Sequence, residues 1–189
     1  DEVLTSPIKG TAALDTDPAE LVSSAKNRAE NIMIVDLMRN DLGRVSVPGS
    51  VRVPAITRAE RHAVWHLVSD VVGHVGRDVR DSDLLRATFP PGSVTGAPKV
   101  RAMQIINELE ATGREAYTGS IGHVSASAGL EMNVAIRTFE IAGGAIWLGV
   151  GGGIVADSVP ALEWEETLNK RRAMFRAVAL AEHTHKSRV

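Results

Sequence analysis

AYTGSIGHVSASAGLEMNVAIRTFEIAGGAIWLGV, residues 116–150, is the stretch that decides the class of fold. It contains three strand-like runs, residues 116–126, 130–141 and 145–150. The connections between them, at 127–129 and 143–144, are short enough for antiparallel hairpins. On either side the pattern turns helical. Upstream, residues 15–18 read as a helix entrance, and Leu21, Val22, Ala25, Ala29, Ile32 and Met33 recur at helical spacing over residues 19–38. NDLG at 40–43 stops that helix, and SVPGSVRVP at 46–54 gives a short strand and turns. Thr57 followed by Glu60 predicts a capping box opening a second helix to Val72, with Ala63, Val64, Leu67, Val68 and Val71 inward. A short helix near 82–87 follows. Pro98 suits the first turn of a third helix, with Ala102, Ile105, Ile106 and Leu109 on one face and Gly113 closing it. From residue 158 onward the chain is helical again, with Trp164, Leu168, Phe175 and Val178 along one side, and the tail with His183 and His185 reads as frayed. Helices, a meander and a closing helix make an α+β pattern rather than regular βαβ alternation. With no internal repeat and no linker, the expectation is one packed unit.

Composition narrows the function classes. A chain of 189 residues is long enough for one substantial core, and 44% apolar with 23% charged residues is ordinary for a soluble globular protein. Only 4% are aromatic, so the core is built mainly from Val, Ile, Leu and Ala. A formal charge of -2 supplies no bulk field for nucleic acid or an acidic membrane. The absence of cysteine excludes disulfides, a thiol nucleophile and thiolate metal sites. No apolar run reaches the ~20 residues that span a bilayer, and no signal-peptide pattern opens the chain. The expectation is a cytoplasmic protein with neither a nucleic-acid nor a membrane partner.

Several polar residues need a reason. In LEWEETLNK, Glu163, Glu166 and Lys170 project from about the same helical side. That spacing suits a solvated ion-pair ladder and equally a carboxylate pair for a hard cation such as Mg²⁺, which takes few protein ligands. Glu30, at the margin of the first apolar stripe, is a candidate third carboxylate. His62 and His66 stand at i and i+4, but the H-E-x-x-H context of a zinc pair is absent, leaving a boundary or ligand-facing histidine. TGAPK leads into a proline-opened helix whose exposed N–H groups can receive an anion or simply be capped, with Lys99 adding charge. GVGGGIV permits close ligand approach or a tight bend. Arg137 and Arg39 are candidate carboxylate clamps, Arg137 sharing a strand face with Asn133 and Ala135.

Taken together and in order, PIKGT, SSAKNRAENIMIVDLMRNDLGR, WHLVSDVVG, FPPGSVTGAPKVRAMQIINELE, YTGSIGHVS, MNVAIRTF, GVGGGIVADSVP and EWEETLNK resemble the chorismate-utilising enzymes over nearly the whole chain. The family includes anthranilate synthase component I, aminodeoxychorismate synthase component I, and the isochorismate and salicylate synthases. The resemblance implies part of a large chorismate-binding α/β sandwich with antiparallel sheets and packed helices. Within the family, PIKGT resembles the aminodeoxychorismate synthase version, where anthranilate synthases typically carry alanine at the position of Lys9. It then implies Lys9 as a covalent nucleophile on C2 of chorismate, and ammonia from a glutaminase partner adding at C4. The product is 4-amino-4-deoxychorismate, a precursor of 4-aminobenzoate and folate. Attack needs a neutral amine, whereas an unperturbed lysine, with a pKa of ~10.4, is protonated near neutral pH.

The same resemblance implies Glu30, Glu163 and Glu166 as the acidic Mg²⁺ neighbourhood, and His66 as the active-site histidine. It places Thr95 and Gly96 on the ring-binding side and gives Arg137 a substrate carboxylate. Gly151, Gly152 and Gly153 approach the other carboxylate, Lys170 touches a carboxylate or metal-bound water, and Thr11 supplies a hydroxyl. Family members are usually more than twice this long. The chain is therefore expected to be the C-terminal part of a chorismate-binding domain, lacking the portion before PIKGT, with a shortened or omitted loop at 12–17. GLEMNVAIRTF departs from the threonine-serine-threonine pattern of the enteric version, which bears on subfamily. The alternatives are anthranilate synthase component I, a water-using chorismate enzyme, or a non-catalytic interaction domain.

Overall fold

The computed structural model describes residues 1–62 and 64–186, and their side chains except at 11, 26, 173 and 182–186. Ala63 and the side chains of His183 and His185 lie outside the described residues. The chain divides into two compact units, Asp1–Glu110 and Ala111–Val189. No composition shift marks that boundary, which is why the sequence reads as one unit.

Among the described residues, the first unit holds an antiparallel sheet of four strands, β1 (Glu2–Thr5), β2 (Ile8–Ala12), β3 (Arg52–Arg61) and β4 (Trp65–His74). β3 pairs along one edge of β4, and β1 and β2 follow each other along the other. Thr5 opposite Val71 and Ile8 opposite Val68 continue one register, so β1 and β2 are a single edge strand interrupted at Ser6 and Pro7. Pro7 has no N–H for the ladder, although its carbonyl accepts from the Ser69 N–H at 3.2 Å. The register slips at Gly10: Lys9 faces Leu67 and Thr11 faces His66. Gly10 is thus the extra residue of a β-bulge, at φ 73°.

Residues 57–72, read from sequence as a helix, form β3 and β4 instead. β4 buries Leu67, Val68, Ser69, Val71 and Val72, so residues of both faces are covered. A strand buried on both faces loses its alternation and reads as an apolar run, which periodicity does not separate from a helix. Thr57 and Glu60 are strand residues rather than a capping box, Thr57 being buried at φ 50°.

The helical entrance matches expectation: Asp17 accepts from the Ala19 N–H at 2.9 Å and Pro18 opens α1 (Pro18–Ser23). Ser24 then caps a separate helix, α2 (Ala25–Gly43). The inward face of α2 also differs from the expected stripe. Asn31, Ile34, Val35, Met38 and Leu42 are buried, whereas Ile32 and Met33 are exposed. The cause is polar: the Ser69 hydroxyl on β4 donates to Asn31 Oδ1 and accepts from the Thr57 N–H at 2.9 Å, turning Asn31 inward. α3 (Asp81–Thr88) and α4 (Lys99–Leu109) begin where the sequence places them, but α4 buries no residue and Leu109 is exposed.

In the second unit the expected meander is two hairpins. β5 (Ser120–Ser125) pairs with β6 (Gly129–Val134), and β7 (Phe139–Ala142) with β8 (Ala145–Leu148). The run read as one strand over 130–141 breaks at residues 135–138, where Ala135 is buried and Arg137 adopts φ 51°. The closing helix is α5 (Pro160–Lys186), on which Trp164 and Phe175 are exposed. Among the described residues no helix is long and apolar enough to cross a membrane.

Two stability predictions follow from the sheet. Leu67 is fully buried, so Leu67→Ala is expected to cost about 2–5 kcal/mol in urea unfolding; a loss below about 1 kcal/mol would show that this strand is not core. Arg58 binds Asp70 across the strands and Glu60 at 2.6 Å, and Asp70 also accepts from Ser6 Oγ at 2.8 Å. The Arg58 guanidinium holds both carboxyls below the usual carboxylate range. Their contribution is complete above the unfolded value of about 4 and is lost as pH falls through the lowered folded values. Urea midpoints from pH 7 to pH 2 are expected to fall more steeply in the wild type than in Asp70→Asn. Equal slopes would remove Asp70 from the acid response.

Candidate active site

In the first unit, Lys9 is half-buried in β2, directly before the Gly10 bulge and opposite Leu67. A bulge bends its strand and re-aims neighbouring side chains. Thr11 is opposite His66 on the next rung, and its side chain lies outside the described residues. His66 is half-buried near the start of β4, its ring centroid 5.8 Å from that of His62. The pair arises from the hairpin, not from a helical turn, and His62 Nε2 lies 3.3 Å from Glu60. Glu30 is half-buried on α2, immediately before the buried Asn31.

Thr95 and Gly96 sit in the loop from α3 to α4. The Thr95 hydroxyl donates to Pro91 O at 3.0 Å, and Gly96 is at φ 138°. Lys99 does not add free charge to this loop as the sequence suggested, because its ammonium is bound to Asp41 at 2.6 Å. Arg39 pairs with Asp36 at 3.2 Å on the exposed side of α2.

In the second unit, the spacing on α5 holds. Lys170 Nζ binds Glu166 Oε1 at 2.7 Å and donates to Gly151 O at 3.2 Å. Glu163 Oε1 accepts from Ser158 Oγ at 2.7 Å, and Ser158 Oγ accepts from the Val155 N–H at 3.0 Å. A Cβ on Gly152 would stand 3.2 Å from Glu163 Oε2. The structure therefore brings Gly151, Gly152, Glu163, Glu166 and Lys170 together, with glycine backbone against the acidic side of the helix. Gly153 faces open space. Arg137 is exposed in the bend after β6, so it is not on the strand face expected with Asn133 and Ala135. Tyr117, which sequence reasoning passed over, packs under the glycine run: a Cβ on Gly149 would fall 2.2 Å from its ring, and one on Gly151 would fall 3.0 Å from its hydroxyl. The available signal was that this is the single tyrosine of the chain.

The model of the chorismate binding enzyme family matches residues 1–176. The chain belongs to the chorismate-binding enzyme family. Anthranilate synthase component 1 of Pseudomonas putida is 50% identical over 190 residues, covering 96% of this chain and 38% of that protein. Aminodeoxychorismate synthase component 1 of Escherichia coli K12 is 51% identical over 177 residues, covering 89% of this chain and 39% of that protein. The chain thus spans about two fifths of the length of these relatives. Among solved structures, anthranilate synthase component I of Streptococcus pneumoniae superposes with a TM-score of 0.77 at 41% identity, covering 92% of this chain and 40% of that one. The menaquinone-specific isochorismate synthase of Escherichia coli gives 0.78 at 28% identity, covering 91% and 41%. The mixed helical and antiparallel architecture is that of these enzymes.

On α5 the donor set compatible with a hard cation such as Mg²⁺ is a pair of carboxylates. Glu163 and Glu166 are hard oxygen donors one turn apart; the missing Cβ of Gly152 leaves room beside Glu163 Oε2, while Glu166 Oε1 is bound by Lys170. Among the described residues no group of three or more His, Cys, Asp or Glu is placed to hold a metal, so this helix alone offers two protein carboxylates. The glycine run itself has a clear test. Gly149→Ala is expected to cost about 1–3 kcal/mol, since its methyl and the Tyr117 ring compete for one space. In a Tyr117→Ala background the same change should cost little; additive costs in the double-mutant cycle would sink this packing.

Proposed function

We propose that this chorismate-binding enzyme aminates chorismate at C4 to give 4-amino-4-deoxychorismate, with Lys9 as the covalent nucleophile. The observation that carries the reading is Lys9 itself, half-buried beside a bulge and one rung from the strand position of His66. The amine of Lys9 forms a bond to C2 as both conjugated ring double bonds shift, from C1=C2 to C1=C6 and from C5=C6 to C4=C5, and the 4-hydroxyl takes a proton and leaves as water. Ammonia then bonds to C4, both double bonds shift back and the Lys9 amine departs from C2. Ammonia loses a proton in the process, so the balance is chorismate plus ammonia to aminodeoxychorismate plus water. His66 is the proposed acid–base group for these proton movements.

Arg137 is proposed to grip one substrate carboxylate, and the N–H groups at Gly151, Gly152 and Gly153 the other. Thr11, Thr95 and Gly96 line the substrate, and Lys170 holds Glu166 in place. Glu163 and Glu166, with Glu30 as the further carboxylate the resemblance implies, are proposed to hold Mg²⁺. That ion supplies charge neutralisation and orientation for a substrate carboxylate. The ammonia source is proposed to be a glutaminase subunit, in keeping with the "component 1" names of the relatives.

A second reading has its own support, since anthranilate synthase component 1 appears among the relatives at 50% identity against 51% for aminodeoxychorismate synthase component 1. Product identity separates the two. With ammonia supplied, Lys9→Ala is expected to lower aminodeoxychorismate formation more than about 10²-fold. Unchanged formation would overturn the covalent role, and anthranilate as the wild-type product would favour the second reading.

A further inference from the structure

We propose that Asp41 and Lys99 are positioning residues: their ion pair clamps the loop of residues 89–98 onto α2 and so holds Thr95 and Gly96 for substrate. The inference deepens the function proposed above and rests on its reading that Thr95 and Gly96 line the substrate.

Lys99 is the first residue of α4, and Asp41 lies in the last turn of α2. A cation in a first turn opposes the helix dipole, so α4 alone gives no reason for a lysine there. The reason lies across the gap. Lys99 Nζ binds Asp41 Oδ2 at 2.6 Å, and Asp41 is only 6% exposed. The same ammonium is 3.5 Å from the carbonyl of Thr88, the last residue of α3. One charged group therefore joins the residue before the loop, the residue after it and the helix beneath it.

The loop has a second seat on α2. A Cβ on Gly92 would stand 2.8 Å from Leu37 Cδ1, so the loop backbone lies directly on that side chain. Leu37 and Asp41 are four residues apart and share one face of α2. Between the seats, the loop shapes itself: the Val94 N–H donates to Pro91 O at 3.2 Å and the Thr95 hydroxyl to the same carbonyl at 3.0 Å. Gly96 then comes close to α4, where a Cβ would lie 3.1 Å from that of Ala102. The internal bonds set the curve of the loop, and the ion pair sets where its far end sits. Displacing that end moves Gly96 and Thr95, which lie three and four residues before Lys99.

The test uses the full-length protein and chorismate, with the variant Asp41→Leu/Lys99→Met. Exchanging a buried ion pair for apolar side chains of similar size preserves packing, whereas removing one partner strands a charge. The expected result is an unchanged urea midpoint and hydrogen exchange at residues 92–97 accelerated about 10-fold or more, with exchange at Ile34–Leu42 unchanged. KM for chorismate should rise about 10-fold with kcat within about twofold, the pattern of lost uniform binding. A purely structural role would move the midpoint and the exchange of the whole unit instead, and that outcome overturns the proposal. Unaltered loop exchange overturns the clamp whatever the kinetics. Faster loop exchange with unchanged KM overturns the positioning role, and a wild-type KM in Thr95→Val would trace that failure to the site reading. If the double variant does not fold, Asp41→Asn is read by loop exchange and KM alone, because stranding the Lys99 charge lowers the midpoint whichever role the pair has.

Discussion

The central constraint in the first unit is that β4 is hydrogen-bonded along both edges and covered on both faces. Water does not reach its middle, so each polar group there needs a protein partner. Ser69 meets the requirement by accepting from Thr57 and donating to Asn31. Asp70, which keeps some exposure at the sheet surface, is paired with Arg58 and Ser6. These bonds tie β4 to α2 on one side and to both flanking strands in the plane of the sheet. The placement of Lys9 follows, because the edge strand that carries it is registered against β4 on either side of Pro7.

The buried polar contacts do different physical work. Asn31 is fully buried and its Nδ2 finds no hydrogen-bond partner among the described residues, a penalty of about 1–3 kcal/mol. An apolar residue would pack there at lower cost but would leave α2 freer to rotate on the sheet. The Asn31–Ser69 bond fixes that rotation, and Glu30 takes its orientation from the same turn of helix. Asp41 and Lys99 act at the other end of α2, where the contact is charged and joins helix ends. Between them, α2 is held at a neutral bond facing the sheet and at an ion pair facing the loop.

Legibility from sequence tracked how local the signal was. The Asp17–Pro18 entrance, the Pro98 opening of α4 and the spacing of Glu163, Glu166 and Lys170 were readable because each is decided within one helical turn. β4 was not, since burial on both faces erased its period and left an apolar run that suits either element. The inward face of α2 was misread for a related reason: the apolar letters pointed at Ile32 and Met33, while a bond to Ser69, 38 residues away, turned Asn31 inward. The carboxylates of α5 were legible as a set, but the glycine backbone laid against them was not, because Tyr117 and Gly149 meet only in three dimensions. Arg137 was expected on a strand and lies past its end, since nothing local announces that the ladder stops at Val134.

The same backbone logic explains how one architecture carries different chemistry. The isochorismate synthase that superposes at a TM-score of 0.78 shares only 28% identity, so the fold tolerates replacement of most side chains. In an edge strand the ladder is made by backbone groups, and β2 keeps its pairing with β4 whatever side chain stands at position 9. Gly10 is different, because its positive φ is part of the bulge that carries the strand past Leu67. Selection can therefore exchange the group at position 9 without disturbing the sheet, provided the bulge beside it is kept. That separation is why the proposed amination rests on Lys9 rather than on the overall similarity of the chain.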